Sequence, residues 1–323
     1  MRIRHATLKG YIKQALALHT NRGLPNPRHA ELDYIKIMSN AVKKYENVPK
    51  RQEMISDDMF HFIARLTKRS SQDSFVRAVT DWIILGAYTG FRKSEWCNDH
   101  PIEFERITDP QWGTRATSLA IIAEDFRFAT ATGSRLNDIR NIADADVIFA
   151  TLCIRKQKNN DNGQLLTYQR RTSSTWMCPT QASVNIVRRA VRLGTPSDYP
   201  IAVYLDTSSG TRRQITSLEV ATFLRHVAHK TFNIPTQHPD LKSWSCHSLR
   251  VTAANLLHRA GFSDSFIKNR LRWRSDTFLM YLRNTFYTAS QHTNAITLGL
   301  DPPNHNDSRP LELHESILAN RRN

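Results

Sequence analysis

One β-rich block, residues 117 to 171, lies between two long helical regions, and this segregation constrains the fold more than any other feature of the sequence. Strands gathered in one stretch pair with their sequence neighbours, whereas a parallel sheet needs a helix between successive strands. The expected fold is therefore mainly α with a small antiparallel β-sheet, an α+β class. Ser118 to Ala123 and Val147 to Ile154 read as strands from their apolar and β-branched content, and Leu165 to Tyr168 reads as the returning strand. Between the last two, the run from Lys156 to Gly163 is dense in Asn, Asp and Gly, the residues of hairpin loops.

Helical periodicity fills the flanks. Residues 7 to 20 form an expected helix with Thr7 as N-cap and Leu8, Tyr11, Ile12, Leu16 and Leu18 apolar, ended by Gly23, Pro25 and Pro27. A second helical stretch runs from about Leu32 to Tyr45, and 48–51 reads as a linker. From Ser56 the helices become more apolar; in Phe75 to Tyr88, Val76, Val79, Trp82, Ile83 and Leu85 recur at helical spacing, which marks a buried core. Beyond the β-rich block, helices are expected around Ala182 to Leu193, Leu218 to His229 and Ser248 to Ala260, with two short ones after Gly261.

The chain has 323 residues, with 45 Lys and Arg against 29 Asp and Glu, a net charge of +16. That excess points to a polyanionic partner. The four cysteines, Cys97, Cys153, Cys178 and Cys246, form no C-x-x-C pair, so neither a zinc site nor a disulfide framework has the spacing it needs, and reduced intracellular thiols are expected. No stretch approaches the roughly 18 apolar residues of a membrane span, and the first residues lack the apolar core of a secretion signal, so no membrane partner is expected.

Three elements carry chemistry-bearing residues. His247 and Arg250 open a helix three residues apart, so the imidazole and guanidinium share a face, while Leu249, Ala253, Leu256, Leu257 and Ala260 form an apolar stripe and Gly261 a stop. Arg92 follows the helix stop at Gly90, with Glu95 three residues on, in Thr-Gly-Phe-Arg-Lys-Ser-Glu. Trp273 lies eight residues before Tyr281 in a short basic segment. Taken singly, each has an ordinary structural reading: a solvated helix start, a capped turn with a surface arginine, a pair of core aromatics.

In this order, Arg in T-G-x-R-x-x-E, a lysine-bearing hairpin, H-x-x-R, Trp and then Tyr, the sequence resembles the tyrosine recombinase and integrase family over about residues 56 to 290. The segment Arg272 to Arg283 is most similar to recombinases of eukaryotic Crypton and DIRS-type mobile elements, which share the spacing from tryptophan to tyrosine. The resemblance implies cleavage and rejoining of double-stranded DNA through a 3′-phosphotyrosyl bond. Arg92 and Arg250 would stabilise charge on the phosphate, His247 would take the phenolic proton, Tyr281 would be the nucleophile, and Trp273 would donate its indole N–H to the phosphate. A hairpin lysine would protonate the departing 5′ oxygen; Lys158 fits the family's Lys-to-Gly163 pattern, with Lys156 as the alternative. Tyr287 is a second phenol that lacks the surrounding Tyr-Leu-Arg-Asn context. Because the phosphotyrosine keeps the energy of the cleaved bond, no cofactor and no metal are expected.

The resemblance also implies an organisation: 1–50 as part of a helical DNA clamp, shortened or entered partway, 51–300 as the catalytic domain, and 301–323 as a linker and C-terminal helix that holds a neighbouring protomer in a DNA-bound tetramer. An intracellular location is expected, nuclear in a eukaryotic host. Arg272 departs from the pattern, since the nearest relatives have Gly before or near the Arg-Trp pair. Two alternatives share much of the motif. A type IB topoisomerase is disfavoured by the Trp273 context, and an inactive DNA-binding remnant is disfavoured because each catalytic position is filled.

Overall fold

A computed structural model describes residues 5–24, 37–38, 40–42, 51–97, 99, 104–109, 113–157, 162–171 and 176–282. The chain divides into two compact units, Met1–Arg51 and Gln52–Asn323. In the first, helix α1 spans His5–Asn21. Thr7 therefore lies inside the helix, not at its N-cap, because the backbone is already helical two residues earlier. The stretch from Leu32 to Tyr45, for the most part, and the whole of 301–323 lie outside the described residues.

The second unit is mainly helical with small antiparallel sheets. Its helices are α2 (Asp57–Lys68), α3 (Phe75–Thr89), the single turn α4 (Lys93–Trp96), α5 (Pro179–Arg192), α6 (Ser217–Phe232), α7 (Ser248–Arg259) and α8 (Asp264–Arg270). Their ends follow capping chemistry. Ser74 accepts a hydrogen bond from the Arg77 N–H at the start of α3, and Gly90 closes that helix at φ 59°. Pro179 occupies the first turn of α5, where a missing N–H costs nothing. Thr216 and Glu219 form a reciprocal capping box on α6.

The strands are β1 (Phe104–Asp109), β2 (Gly113–Ser118), β3 (Phe126–Ala129), β4 (Arg135–Leu136), β5 (Phe149–Ile154), β6 (Gln164–Gln169), β7 (Val203–Asp206) and β8 (Thr211–Gln214). β1–β2 and β7–β8 are separate hairpins, and the four-stranded sheet runs β4-β3-β5-β6. In β5 alternate residues Ala150, Leu152 and Ile154 are buried, paired with Tyr168, Leu166 and Gln164 of β6. The expected strand from Ser118 to Ala123 is not formed: only Ser118 belongs to a strand. Ala120, Ile121 and Ile122 are buried as extended chain whose hydrogen bonds go elsewhere, Ile121 N to the Glu95 carbonyl and Ile201 N to the Ile121 carbonyl. An apolar run satisfied this way has a strand's composition without a ladder. The strand at Phe126 is a further one inside the expected block, and those at Phe104 and Val203 extend the β content beyond it.

Helix α3 is buried almost all round, as is the first half of α7, where Leu249 to Asn255 are all buried. The apolar stripe expected on α7 is thus part of a wider buried surface, and its last member, Ala260, is exposed. The two helices pack closely because Gly86 lacks a side chain: a Cβ there would lie 2.8 Å from Leu249 Cδ1. This contact sets the helix that begins at His247 against the helix that ends just before Arg92. A second small core, Ala253, Ala254, Ile267, Leu271 and Phe278, fastens α8 and the following 3₁₀ turn to α7. No helix among the described residues is long and apolar enough to cross a membrane.

Candidate active site

The 3₁₀ turn Asp276–Tyr281 carries Tyr281 at its end. Residues three apart share an edge of a 3₁₀ helix, so burial of Phe278 fixes the edge that bears Tyr281. The side-chain amide of Asn255, wholly buried in α7, donates to the Tyr281 carbonyl at 2.6 Å and to the Val251 carbonyl at 2.8 Å. The tyrosine's main chain is thereby tied to the helix that carries Arg250.

His247 stands at the entrance to α7. Its N–H donates to Ser245 Oγ at 3.2 Å, and that hydroxyl donates to Gln52 Oε1 at 2.6 Å. The imidazole meets the Tyr281 ring edge-on, centroids 5.1 Å apart, and Tyr281 lies 5.3 Å from the Trp273 ring. Burial, then the neighbouring Arg250 charge, hold the His247 pKa below its ordinary value. At neutral pH the ring is accordingly uncharged and able to accept a proton.

Arg250, one turn into α7, is buried, with its guanidinium carbon 4.2 Å from the Trp273 ring centroid. It donates to the Gly90 carbonyl at 2.8 Å and the Leu271 carbonyl at 3.3 Å, which fixes the plane of the fork. Burial, then Arg92 and Arg272, push its pKa down to about 9, so it remains a cation at neutral pH. Arg92, in the turn after Gly90, donates from Nη1 to Glu95 Oε1 at 3.1 Å and from Nη2 to the Arg272 carbonyl at 3.2 Å. Its main-chain N–H donates to Glu95 Oε2 at 3.0 Å, closing the first turn of α4.

These side chains line one cavity of about 770 Å³: Arg92, His247, Arg250, Trp273 and Tyr281 all face it, with Lys93, Ser217, Cys246, Arg274 and Ser275 among the other walls. Trp273 is half-buried, and its indole N–H, though itself buried, has no hydrogen-bond partner in the protein. The ring of Trp273 lines the cavity, and its unpaired N–H is a donor that an anionic oxygen could use if the ring turned to meet it. The cavity thus offers two fixed guanidinium groups, an indole ring, a neutral imidazole and a phenol.

Lys158 lies outside the described residues, as does Tyr287. Lys156 is exposed and does not line the cavity. The returning end of the same hairpin, Asn162 to Gln164, shares a neighbouring pocket of about 350 Å³ with Lys268, Asn269, Arg272 and Trp273. With Lys268, Arg270 and Arg274, Arg272 belongs to a basic run expected to meet DNA phosphates, but it is buried with its guanidinium on Glu95 and is not available to a phosphate, while its carbonyl accepts from Arg92. Its backbone is left-handed, at φ 61°. A residue with a side chain in that region costs roughly 1–3 kcal/mol unless its surroundings hold it there.

No protein-family model and no curated protein matches the sequence. Among solved structures, the chain is similar to the Tn1549 transposon integrase in complex with transposon right end DNA, with a TM-score of 0.39 and 10% identity over 91% of this chain and 86% of that one. It is also similar to XerA recombinase, with a TM-score of 0.38 and 14% identity over 90% of this chain and 83% of the other.

Proposed function

We propose that the protein is a site-specific DNA recombinase that cuts and rejoins double-stranded DNA through a phosphotyrosyl intermediate at Tyr281. The observation that carries this reading is the one cavity onto which Arg92, His247, Arg250, Trp273 and Tyr281 open from three separate stretches of chain. In the proposed step the Tyr281 phenolic oxygen attacks phosphorus, its proton passes to His247, and the bond to the 5′ oxygen breaks. Arg92 and Arg250 balance the charge that builds on the non-bridging oxygens, with Trp273 as a further donor. The hairpin lysine, Lys158 or Lys156, protonates the departing 5′ oxygen. Reversal of the same step by a 5′ hydroxyl from another strand rejoins the DNA without an external energy source.

The finer parts of the reading are a role in integrating or excising a mobile element of the Crypton or DIRS kind, action in the nucleus of a eukaryotic host, and assembly as a tetramer through 301–323. These rest on the sequence resemblance. The decisive test starts from a pool of nicked duplexes of random sequence, from which complexes that survive denaturation are recovered. Wild-type protein should retain DNA covalently, and recovered pools should converge on a site. Failure of any pool to yield a Tyr281-dependent adduct would remove the proposal.

Two further results are expected. The net charge of +16 makes phosphate contacts the main source of affinity. If roughly 6 to 10 phosphates are neutralised, affinity should fall about 10³- to 10⁵-fold between 50 and 200 mM salt. A flat titration of DNA binding against salt would contradict this. Cleavage should also fall on acidification with a midpoint below the ordinary His value of about 6.5, because the depressed His247 pKa keeps the imidazole neutral down to that range. Initial rates across pH 4.5 to 8 measure the limb, and a midpoint above 7 would exclude His247 as the proton acceptor.

A further inference from the structure

Arg272 is among the most buried charged residues of the described chain, and its surroundings account for both its charge and its backbone. Its Nη1 and Nη2 donate to Glu95 Oε1 and Oε2, each at 3.0 Å, a two-pronged pairing across 177 residues, and Nη2 also donates to the Thr89 carbonyl at 3.3 Å. Glu95 is equally buried and receives Arg92 on the same two oxygens, through Nη1 and the main-chain N–H. The Arg272 carbonyl accepts the other Arg92 prong, Nη2. Both terminal nitrogens of Arg92 are therefore held by a pair of groups that Arg272 supplies or fixes. One carboxylate serves two guanidinium groups, so it retains Arg92 in place without neutralising the cavity.

We infer that Arg272 is a positioning residue that aims Arg92 into the cavity through Glu95 and through its own carbonyl. The left-handed backbone is part of the device. It turns the Arg272 side chain inward to Glu95 and its carbonyl toward Arg92, while the next residue, Trp273, lies under Arg250. The segment leading to Tyr281 and the turn carrying Arg92 are then held in register by one residue. Glycine would adopt φ 61° without strain, so the retention of a large side chain there points to a use for the guanidinium itself. This inference rests on the proposed role of Arg92 at phosphate, and its test separates the two.

The test compares wild type with Arg272→Gly, which suits the backbone and removes the buried side chain, guanidinium and stem together. The single-turnover rate of covalent adduct formation at saturating nicked DNA should fall by up to about 10²-fold, the scale on which small misplacements act. DNA affinity should stay within a few-fold. The loss should be largely absent when Arg272→Gly is introduced into an Glu95→Gln background, since both act on Arg92 through one network. Arg272→Lys keeps a cation against Glu95 but gives up the second prong, and it covers the case in which the glycine variant does not fold, with a drop in the same direction. An independent readout is the rate at which phenylglyoxal modifies Arg92, followed by peptide mass spectrometry. That rate should rise several-fold in the Arg272 variants. A lowered melting temperature with wild-type adduct rate and unchanged Arg92 reactivity would make Arg272 merely structural and overturn the inference, as would a full loss of rate in the Glu95→Gln background. If wild type forms no Tyr281-dependent adduct, the recombinase reading fails, and Arg92 reactivity alone decides the role of Arg272.

Discussion

Tyr281→Phe is expected to abolish covalent attachment to DNA while leaving the fold and DNA affinity essentially intact. The substitution removes one oxygen and nothing else. A phenylalanine ring keeps the contacts that Tyr281 makes with His247 at 5.1 Å and Trp273 at 5.3 Å, and Asn255 still holds the main-chain carbonyl of residue 281. Phe278, which anchors the turn in the small core below, is untouched. Loss of a nucleophile elsewhere costs on the order of 10⁶-fold in turnover, because no remaining group can form the intermediate. On a nicked duplex recovered from the random pool, the slow-migrating adduct on a denaturing gel should disappear, and gel shift without denaturation should be unchanged. An adduct that persists in the variant would move the nucleophile to another phenol, Tyr287 being the nearest in sequence.

Local chemistry made much of the fold legible. The expected helix from Phe75 to Tyr88 matches α3 to within one residue because both of its ends are written in the chain, Ser74 as cap and Gly90 as the left-handed stop. The hairpin of β5 and β6 was equally legible, since alternation and a loop rich in Asn and Gly specify it without help from distant residues. The run from Ser118 to Ala123 failed as a strand for the converse reason. Its apolar residues are buried, but whether they form a ladder depends on Glu95 and Ile201, which no local pattern announces. The hairpin of β7 and β8 was overlooked although Asp206 to Gly210 is dense in turn residues; its second strand, Thr211–Gln214, is largely exposed and polar, so it lacks the apolar signal that marks a strand. At the site, the order of Arg92, His247, Arg250, Trp273 and Tyr281 was readable, and their common cavity is now described. The contacts that hold them are not local: Arg92 with Arg272, Arg250 with Gly90, Asn255 with Tyr281. Arg272 illustrates the limit. In the sequence it is a broken pattern and one charge of a basic run, and only its buried pairing with Glu95 shows that its charge is spent inside the protein.

Arg250→Lys is expected to be nearly as damaging to cleavage as Arg250→Ala, each losing about 2.7–4 kcal/mol of transition-state stabilisation, the scale for one fixed donor to developing negative charge. Charge alone would argue otherwise, since lysine keeps it. Geometry decides, because the planar guanidinium stacks on Trp273 at 4.2 Å while reaching the Gly90 and Leu271 carbonyls. An ammonium cannot stack as a plane, and its three donors sit on one tetrahedral nitrogen, which cannot reproduce the spread of a fork that reaches the Gly90 and Leu271 carbonyls from two separate nitrogens. The alanine variant leaves the Gly90 and Leu271 carbonyls without that donor, and the lysine variant leaves at least one of them so, in a buried setting, at about 1–3 kcal/mol for each group left unpaired. Those two carbonyls lie at the end of α3 and just before Arg272, so the loss loosens both walls that bring Arg92 and Trp273 to the cavity. The melting temperature should therefore fall in both variants, and cleavage should be compared well below it. Adduct rates at saturating DNA, measured at a temperature where circular dichroism reports each variant fully folded, separate the two effects. A lysine variant that cleaves within a few-fold of wild type under those conditions would reduce Arg250 to a source of charge and remove the need for a fixed, stacked fork.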